Sequence, residues 1–313
     1  MNIKSSTIFT FFEILLEATA HTFRLEGKRQ KAIIQTALAS FLWGTSFVAI
    51  KIGLVDLDPI WFVEWRLAAS SLMLLAIYAR STPFRIYFSD KWLWLLGFLN
   101  GICFLVQYIG MQSTSAGVAA FLINFSMIFT ALFSWWWLKE SFGIVKVLGV
   151  ITALAGAILL SGGLNAMQES GSLFGNLLVM LSGIFWAGCT VMSKFVLTRS
   201  GYNETTMTAM ILFMAALWIL PFALLWGDLK FFGEAAWYVL IYTTIFCTVL
   251  PFVFWLRALR YISATYSAAI LLLEPVFAAV LGFLILNERL TLAELIGAVL
   301  ILVAIGMISL SRK

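Results

Sequence analysis

The residues of this sequence that could do chemistry are a few polar side chains inside long apolar runs. The most informative is Glu274, which stands ten residues after Ala264, where its run begins, and is followed at once by Pro275. In a helix that spacing is about 15 Å, close to the middle of a bilayer. An ionisable group at that depth should face a cavity or a partner. It could carry a proton or bind an amine, or, protonated, it could hold the bend that proline causes.

Amide side chains stand at comparable depths. Asn124 lies about nine residues into its own run, and Asn100 and Gln107 are seven residues apart, which places them on one helix face, with Tyr108 beside Gln107. Amide groups suit the amino and carboxylate groups of a small solute. They equally suit hydrogen bonding between helices in lipid. We therefore treat these four residues as candidates for the wall of a cavity, with helix packing as the alternative.

Two similar stretches, LASFLWGTSFVAIK and LSGIFWAGCTVMSK, lie 143 positions apart and bring tryptophans and lysines into register. Trp43 and Trp186 fall near the middle of their runs, where an indole N–H needs a partner or a wet cavity. We expect them to line a pathway, together with Trp255, which lies 148 positions after Gln107. Lys51 and Lys194 end their runs. Their long stems can extend to lipid headgroups, and a gating role is the alternative.

Arg66 is the remaining charged candidate. It lies shortly after Pro59, at a depth of about 11 Å, from which an arginine can still extend outward to the headgroups. Glu64 is two residues away and points to another side of the helix, so the two are not expected to pair. We assign Arg66 and Pro275 a gating or structural role.

The elements that position these residues are set by composition. The chain of 313 residues is 62% hydrophobic and only 11% charged, with a mean hydropathy of +1.01. A soluble domain carries about a quarter charged residues, so the bilayer must be the solvent. Ten apolar runs are long enough to cross it. They are Ala32–Gly53, Pro59–Ala79, Trp92–Met111, Gly117–Leu138, Val145–Leu160, Leu173–Leu197, Met207–Leu225, Ala236–Leu259, Ala264–Leu286 and Leu292–Leu310.

The charges predict the orientation. If the amino terminus is cytoplasmic, most of the 20 Lys and Arg residues fall on the inner side, as the positive-inside rule requires. We therefore expect a multi-pass protein of the plasma (inner) membrane with both termini in the cytoplasm. The net charge of +5 then reflects topology and excludes a nucleic-acid partner. Residues 1–30 form an extension that we read as an interfacial helix, with disorder as the alternative.

The chain is a duplication. The stretches that contain Trp43 and Trp186 match at an offset of 143 residues. A second offset, of 148 residues, matches Ser115 to Ser263 and Glu140 to Glu288. Together the two offsets define halves at about 31–161 and 171–312. Each half has five spans, an odd number, so the second copy must enter the membrane from the opposite face. The predicted fold class is therefore all-α integral membrane, with ten transmembrane helices as two inverted five-helix repeats. Such pairs are typical of transporters.

At these motifs the sequence resembles the drug/metabolite transporter superfamily, specifically its EamA-type members. The matching signatures are the WG before Lys51, Arg66 after Pro59, the stretch SAGVAAFLI, and LLEPVFAAVLGFLILNERLT with Glu274. The resemblance implies a central cavity lined by the first, third, fourth, sixth, eighth and ninth spans. It also implies transport of metabolites such as amino acids, with export as the direction.

The sequence thus predicts a secondary active transporter of small metabolites, and neither an enzyme nor a holder of a cofactor or metal. The three cysteines lie within apolar runs as core residues. The expected partners are a small solute, with protons as a further candidate, and membrane lipid; a homodimer stays open. A passive facilitator or channel and a non-transporting membrane scaffold are the alternatives.

Overall fold

The computed structural model describes residues 5–78, 84–141, 143–160, 172–229, 233–277 and 292–310. Over these ranges the fold consists of helices and contains no β-strand. The helices are α1 (Ser5–Gly53), α2 (Pro59–Tyr78), α3 (Phe84–Phe88), α4 (Lys91–Gln112), α5 (Ala116–Ile123), α6 (Ser126–Trp137), α7 (Ile144–Leu160), α8 (Leu173–Arg199), α9 (Glu204–Trp226), α10 (Glu234–Thr244), α11 (Leu250–Leu259), α12 (Ala264–Leu271) and α13 (Leu292–Leu310), with a π-helix at Ile245–Val249 between α10 and α11.

Seven helical segments in the described ranges are long and apolar enough to cross a membrane. Three shorter apolar helices, Ile144–Leu159, Ala264–Phe277 and Ile296–Ile308, occupy the positions of the fifth, ninth and tenth predicted spans. The predicted end of the ninth span, Leu286, and the matched glutamate Glu288 lie outside the described residues. The chain is an all-helical, multi-pass membrane protein.

The first helix is continuous through the amino-terminal extension. α1 contains 49 residues, about 74 Å along its axis, which is more than twice the thickness of a hydrocarbon core. The structure therefore has helix joined directly to the first span, where the sequence left open a separate surface helix or disorder.

Helix starts are fixed by small polar caps. Ser115 accepts a hydrogen bond from the Val118 N–H at the start of α5, and Ser263 accepts one from the Tyr266 N–H at the start of α12. A serine at this position satisfies a donor that the first turn of a helix leaves free. The two caps lie 148 positions apart, so the sequence register is also a register of local structure.

The membrane-spanning segment of α1, Gly27–Gly53, runs between two connecting loops. At its beginning, the Lys28 ammonium lies 5.6 Å from the ring centroid of Tyr261, in the loop 260–263 that joins α11 to α12. Near its end, Lys51 donates to the carbonyl of Thr114, in the loop 113–115 that joins α4 to α5. The 260–263 loop and the 113–115 loop therefore lie at opposite ends of this spanning segment.

α8 spans the same distance in the other direction. At its beginning, the Ser172 N–H donates to the Ser113 carbonyl at 3.1 Å. Near its end, Lys194 donates to the carbonyl of Arg260 at 3.2 Å. α8 starts at the 113–115 loop and ends at the 260–263 loop, antiparallel to α1.

Small residues allow the fifth and tenth spans to pack closely. Gly149, Ala153 and Ala157 are buried along one face of α7. A Cβ added to Gly149 would lie 2.6 Å from Ile308 Cγ1 of α13, so the glycine is required for this approach. This ridge of small residues serves contacts inside the fold.

Candidate functional site

Two spans are broken at equivalent depths. α5 ends at Ile123, with Asn124 as its C-cap, and α6 begins at Ser126; α12 ends before Leu272, and a helical turn follows at 273–277. Asn124 and Leu272 are 148 positions apart. A break inside the membrane leaves backbone groups without helical partners, so other groups must supply their hydrogen bonds.

The break in the ninth span is stabilised by residues of the first span, α1. Pro275 has no N–H to give to the carbonyl four residues earlier, that of Leu271. The Ser40 hydroxyl donates to this carbonyl instead, at 3.2 Å. One turn further along α1, a Cβ on Gly44 would lie only 3.0 Å from the carbonyl oxygen of Glu274, so glycine lets the two helices approach at this point. The predicted bend is present, and Ser40 of α1 holds it.

In the fourth span the break forms without proline. The Asn124 amide donates to the carbonyl of Ala120 at 2.6 Å, within its own helix. The carbonyl of Ile123 faces Gly183 of α8, where an added Cβ would lie 3.0 Å from its oxygen. Gly183 lies 143 positions after Ser40, so equivalent positions of α1 and α8 face equivalent carbonyls.

A second proline, Pro251, frees another carbonyl in the eighth span. Pro251 has no N–H to donate, and the segment before it is a π-helix. The Cys247 carbonyl is therefore left available at the junction with α11. This oxygen accepts hydrogen bonds from the Trp43 indole at 3.1 Å and from Arg66 Nη2 at 2.6 Å. One backbone carbonyl therefore orients two of the candidate side chains.

Arg66 is fixed in the interior. Its Nε–H donates to the Thr248 hydroxyl and its Nη1 donates to the Tyr108 hydroxyl, while the guanidinium lies 4.8 Å from the ring centroid of Phe104. The residue is only 1% exposed. The expectation that Arg66 extends outward to the headgroups is therefore wrong. It turns inward because the freed Cys247 carbonyl and two hydroxyls replace the water that its charge would otherwise need.

The space between these helices forms a cavity whose empty volume, counted together with the space that opens to solvent, is about 580 Å³. Its wall includes polar and charged side chains together with aromatic ones, drawn from α1, α2, α4, α5, α6, α8 and α12 and from the turn after α12. The lining residues are Trp43, Ser46, Phe47, Ile50, Arg66, Cys103, Phe104, Gln107, Ile123, Asn124, Ser126, Trp186, Ala268, Leu271 and Glu274.

Five of the eight residues predicted to line a cavity lie together on this wall: Glu274, Asn124, Gln107, Trp43 and Trp186. Arg66, predicted to have a gating or structural role, lies there as well. The two tryptophan rings contact each other edge to face, with centroids 5.2 Å apart. In the described part of the chain, no hydrogen-bond donor or cation pairs with the Glu274 carboxyl, which is 7% exposed and lines the cavity.

Three candidates lie behind the wall. Trp255 stacks on Trp186 and donates to the Ser267 hydroxyl at 3.0 Å, while the Tyr108 hydroxyl is held by Arg66. Asn100 shares a helix face with Gln107 but lies two turns away, is buried at 2% exposure and is not among the lining residues. The structure does not place these three residues on the cavity wall: Trp255 packs against Trp186, Tyr108 bonds Arg66, and the face that Asn100 shares with Gln107 does not give it the same depth.

Among the cavity residues that were not predicted, three carry a hydroxyl or thiol group: Ser46, Ser126 and Cys103. Ser126 lies 148 positions before Glu274, so the repeat register contained a signal for it. Ser46 lies one turn after Trp43 and shares its face. Cys103 carried no signal that separates it from the other apolar-run cysteines.

Lys51 and Lys194 lie toward opposite ends of the molecule and make equivalent contacts. Lys51 Nζ donates to the carbonyls of Met111, Gln112 and Thr114, and Lys194 Nζ donates to those of Leu259 and Arg260. Each ammonium thus satisfies the carbonyl end of another helix. These hydrogen bonds turn both ammonium groups toward protein, where the sequence suggested an extension to headgroups.

Two ionisable side chains line the cavity without pairing with each other. Arg66 and Glu274 both lie on its wall, and no ion pair within 4.0 Å joins them. Three N–H groups of Arg66 donate to neutral acceptors, and within the described residues no carboxylate pairs with it. A polytopic helical protein with a guanidinium and a carboxyl on the wall of a cavity at two helix breaks has the construction of a membrane transporter.

Comparison with known proteins identifies the family. Residues 30–162 and 173–310 match the EamA-like transporter family, and the chain belongs to it. It is 31% identical over 276 residues to an uncharacterized transporter of Archaeoglobus fulgidus, covering 86% of this chain and 94% of that protein. It is 26% identical to the uncharacterized transporter YoaV of Bacillus subtilis, over 88% of this chain and 96% of YoaV.

A plant protein and a solved structure extend the likeness. The WAT1-related protein At3g02690, chloroplastic, of Arabidopsis thaliana is 29% identical, over 86% of this chain and 67% of its own length. A crystal structure of a protein at 16% identity superposes with a TM-score of 0.75, covering 90% of this chain and 97% of the other. The second likeness concerns the fold alone. The chain is therefore a transporter of the EamA-like family.

Proposed function

We propose that this protein is a secondary active transporter of small metabolites, amino acids or related solutes, which it exports from the cytoplasm. It works by alternating access between two inverted halves of five helices, about residues 31–161 and 171–312, in the plasma (inner) membrane with both termini cytoplasmic. The direction follows the family resemblance. The orientation follows the distribution of Lys and Arg.

The equivalent local structures support the inverted halves. The breaks at Asn124 and Leu272 share one register, the helix contacts of Ser40 and Gly183 share the other, and α1 and α8 run in opposite directions. A direct repeat in sequence that is antiparallel in space allows one architecture to form an inward-open and an outward-open state.

The observation that supports the solute class is a guanidinium and a carboxyl on one cavity wall that do not pair with each other. The buried guanidinium, and the buried carboxyl when it is ionised, each need a counterion, and no charged partner for either is found among the described residues. A zwitterion supplies both, with its carboxylate on Arg66 and its ammonium on Glu274. Gln107 and Asn124 add amide groups, and the tryptophan rings accept the apolar part of such a solute.

The test is counterflow in proteoliposomes with labelled amino acids, sugars and nucleotide-like solutes, with and without a pH gradient. We expect uphill uptake of an amino acid by the parent protein. Glu274→Gln should abolish gradient-driven accumulation, while Glu234→Gln, at an exposed position at the start of α10, should leave it unchanged.

Glu274→Gln also separates the two roles of the carboxyl. If it carries a proton, the variant keeps exchange of labelled for unlabelled solute and loses only the response to the pH gradient. If it binds the ammonium group, exchange falls as well. Downhill flux without counterflow in the parent would instead identify a passive facilitator, and absence of flux for every solute from folded protein would identify a scaffold.

A further inference from the structure

The 260–263 and 113–115 loops, at opposite ends of the spanning segment Gly27–Gly53 of α1, are each held by charged side chains. At the 260–263 loop, Lys194 Nζ donates to the Leu259 carbonyl at 2.7 Å and to the Arg260 carbonyl at 3.2 Å. Glu140 accepts from the Ala264 N–H at 2.9 Å and from the Thr265 hydroxyl at 2.8 Å. A cation thus lies at the carbonyl end of α11 and an anion at the amide end of α12, as both helix dipoles favour.

Glu140 joins the two halves. It follows α6, and Lys139 before it adopts a left-handed conformation with φ 55°, which is uncommon for lysine. The Glu140 N–H closes this turn by donating to the Ser134 carbonyl at 3.1 Å. The backbone at Lys139 is therefore locally strained, and this conformation directs the Glu140 carboxylate at the first turn of α12.

The 113–115 loop at the other end has its own cation. Lys51 Nζ lies 2.6 Å from the Met111 carbonyl and 2.8 Å from the Thr114 carbonyl. Lys51 and Lys194 are equivalent in the 143-residue register, and the carbonyls of Met111 and Leu259 are equivalent in the 148-residue register. The duplication therefore has an equivalent lysine contact at each end of the molecule.

The cavity lies between these two sets of contacts. Ile50 of the cavity wall directly precedes Lys51, and Ala268 and Leu271 of the wall belong to α12, whose first turn Glu140 holds. For solute to leave the cavity toward the 260–263 loop, α11 and α12 must separate from α6 and α8. That movement breaks the hydrogen bonds of Glu140 and Lys194 and leaves those of Lys51 intact.

We propose that Glu140 and Lys194 are positioning residues that close the cavity at the 260–263 end, and that Lys51 closes it at the 113–115 end. The inference rests on the proposed alternating access. It adds which side chains must release at each end, and it assigns opposite effects to chemically identical substitutions of Lys51 and Lys194. A merely structural role for these residues would not give opposite signs.

Cys103 is a native reporter for this test, because it lines the cavity while Cys189 and Cys247 do not. With those two replaced by alanine, modification of Cys103 by a membrane-impermeant thiol reagent measures access to the cavity from the side on which the reagent is added. Right-side-out and inside-out vesicles give the two sides separately, and no solute is required.

We expect Glu140→Ala and Lys194→Met to accelerate Cys103 modification from the 260–263 end by about tenfold and to slow it from the other end. Lys51→Met should do the reverse. Lys194→Arg and Lys51→Arg, which can still donate to the same carbonyls, should return the rates toward those of the parent. Lys91→Met, an exposed cation at the start of α4, should change neither rate.

Equal effects of Lys51→Met and Lys194→Met at both ends, or no effect of either, would overturn the proposal. If Glu140→Ala does not fold, as judged by gel filtration and thermal unfolding, the two lysine variants and their arginine counterparts still decide the question. Failure of the proposed transport is distinct, because it would appear as absent counterflow for every solute while the labelling rates still move in opposite directions.

Discussion

Replacing Arg66 by methionine separates a structural guanidinium from a solute-binding one. The side chain makes three hydrogen bonds to neutral acceptors, each worth about 1.5–3 kcal/mol with a charged donor. Against this stands the cost of burying a charge without a carboxylate partner, which is several kcal/mol. Two of the three acceptors keep other hydrogen bonds: the Cys247 carbonyl still accepts from Trp43, and the Thr248 hydroxyl still donates to the Thr243 carbonyl. We therefore expect Arg66→Met to change the free energy of unfolding by less than about 2 kcal/mol.

Solute binding should respond far more strongly to the same change. Loss of a buried charge partner for a carboxylate costs about 2–4 kcal/mol, or roughly 30- to 1,000-fold in affinity. The assay compares binding of an amino acid with binding of its carboxamide, using the fluorescence of the cavity tryptophans, and measures thermal unfolding in the same detergent. Arg66→Met should weaken only the amino acid.

Arg257→Met is the matched control, since Arg257 donates to the Thr205 hydroxyl at 2.9 Å and does not line the cavity. It should leave both affinities unchanged. The reasoning is refuted if Arg66→Met loses most of its stability, or if it weakens the amino acid and its carboxamide equally. In either case Arg66 would serve the helix junction at Cys247 rather than the solute.

Two further predictions concern packing and topology. Gly44→Ala should destabilise the protein, because the new Cβ would lie 3.0 Å from the Glu274 carbonyl. Gly188→Ala, whose Cβ would meet only a Leu99 side chain at 3.6 Å, should raise the free energy of unfolding by about 0.5–1 kcal/mol. Thermal unfolding of the two variants gives the comparison. Cysteines introduced at Lys31 and Ser161 should be labelled by an impermeant reagent from opposite sides of the membrane, and labelling from one side would contradict the inverted halves.

Part of the site could be predicted from the sequence because depth in a membrane follows from residue count. Glu274, Asn124 and Trp43 were placed near the middle of their spans by counting from the span ends, and they line one cavity. The same counting failed for Asn100, since it gives the height of a residue along its helix and not the extent of a cavity. It also failed for Arg66, whose acceptors depend on Pro251, in a helix far along the chain.

The sequence by itself determined the apolar helices and the two registers of the duplication, because a bilayer admits only long apolar helices and a duplication preserves spacing. Only the tertiary structure decided what the charged side chains do. Arg66, Lys51 and Lys194 all bind backbone carbonyls of distant helices, and every residue type carries the same carbonyl. No residue pattern marks which carbonyl is left free; this is known only once the helices break, bend and pack.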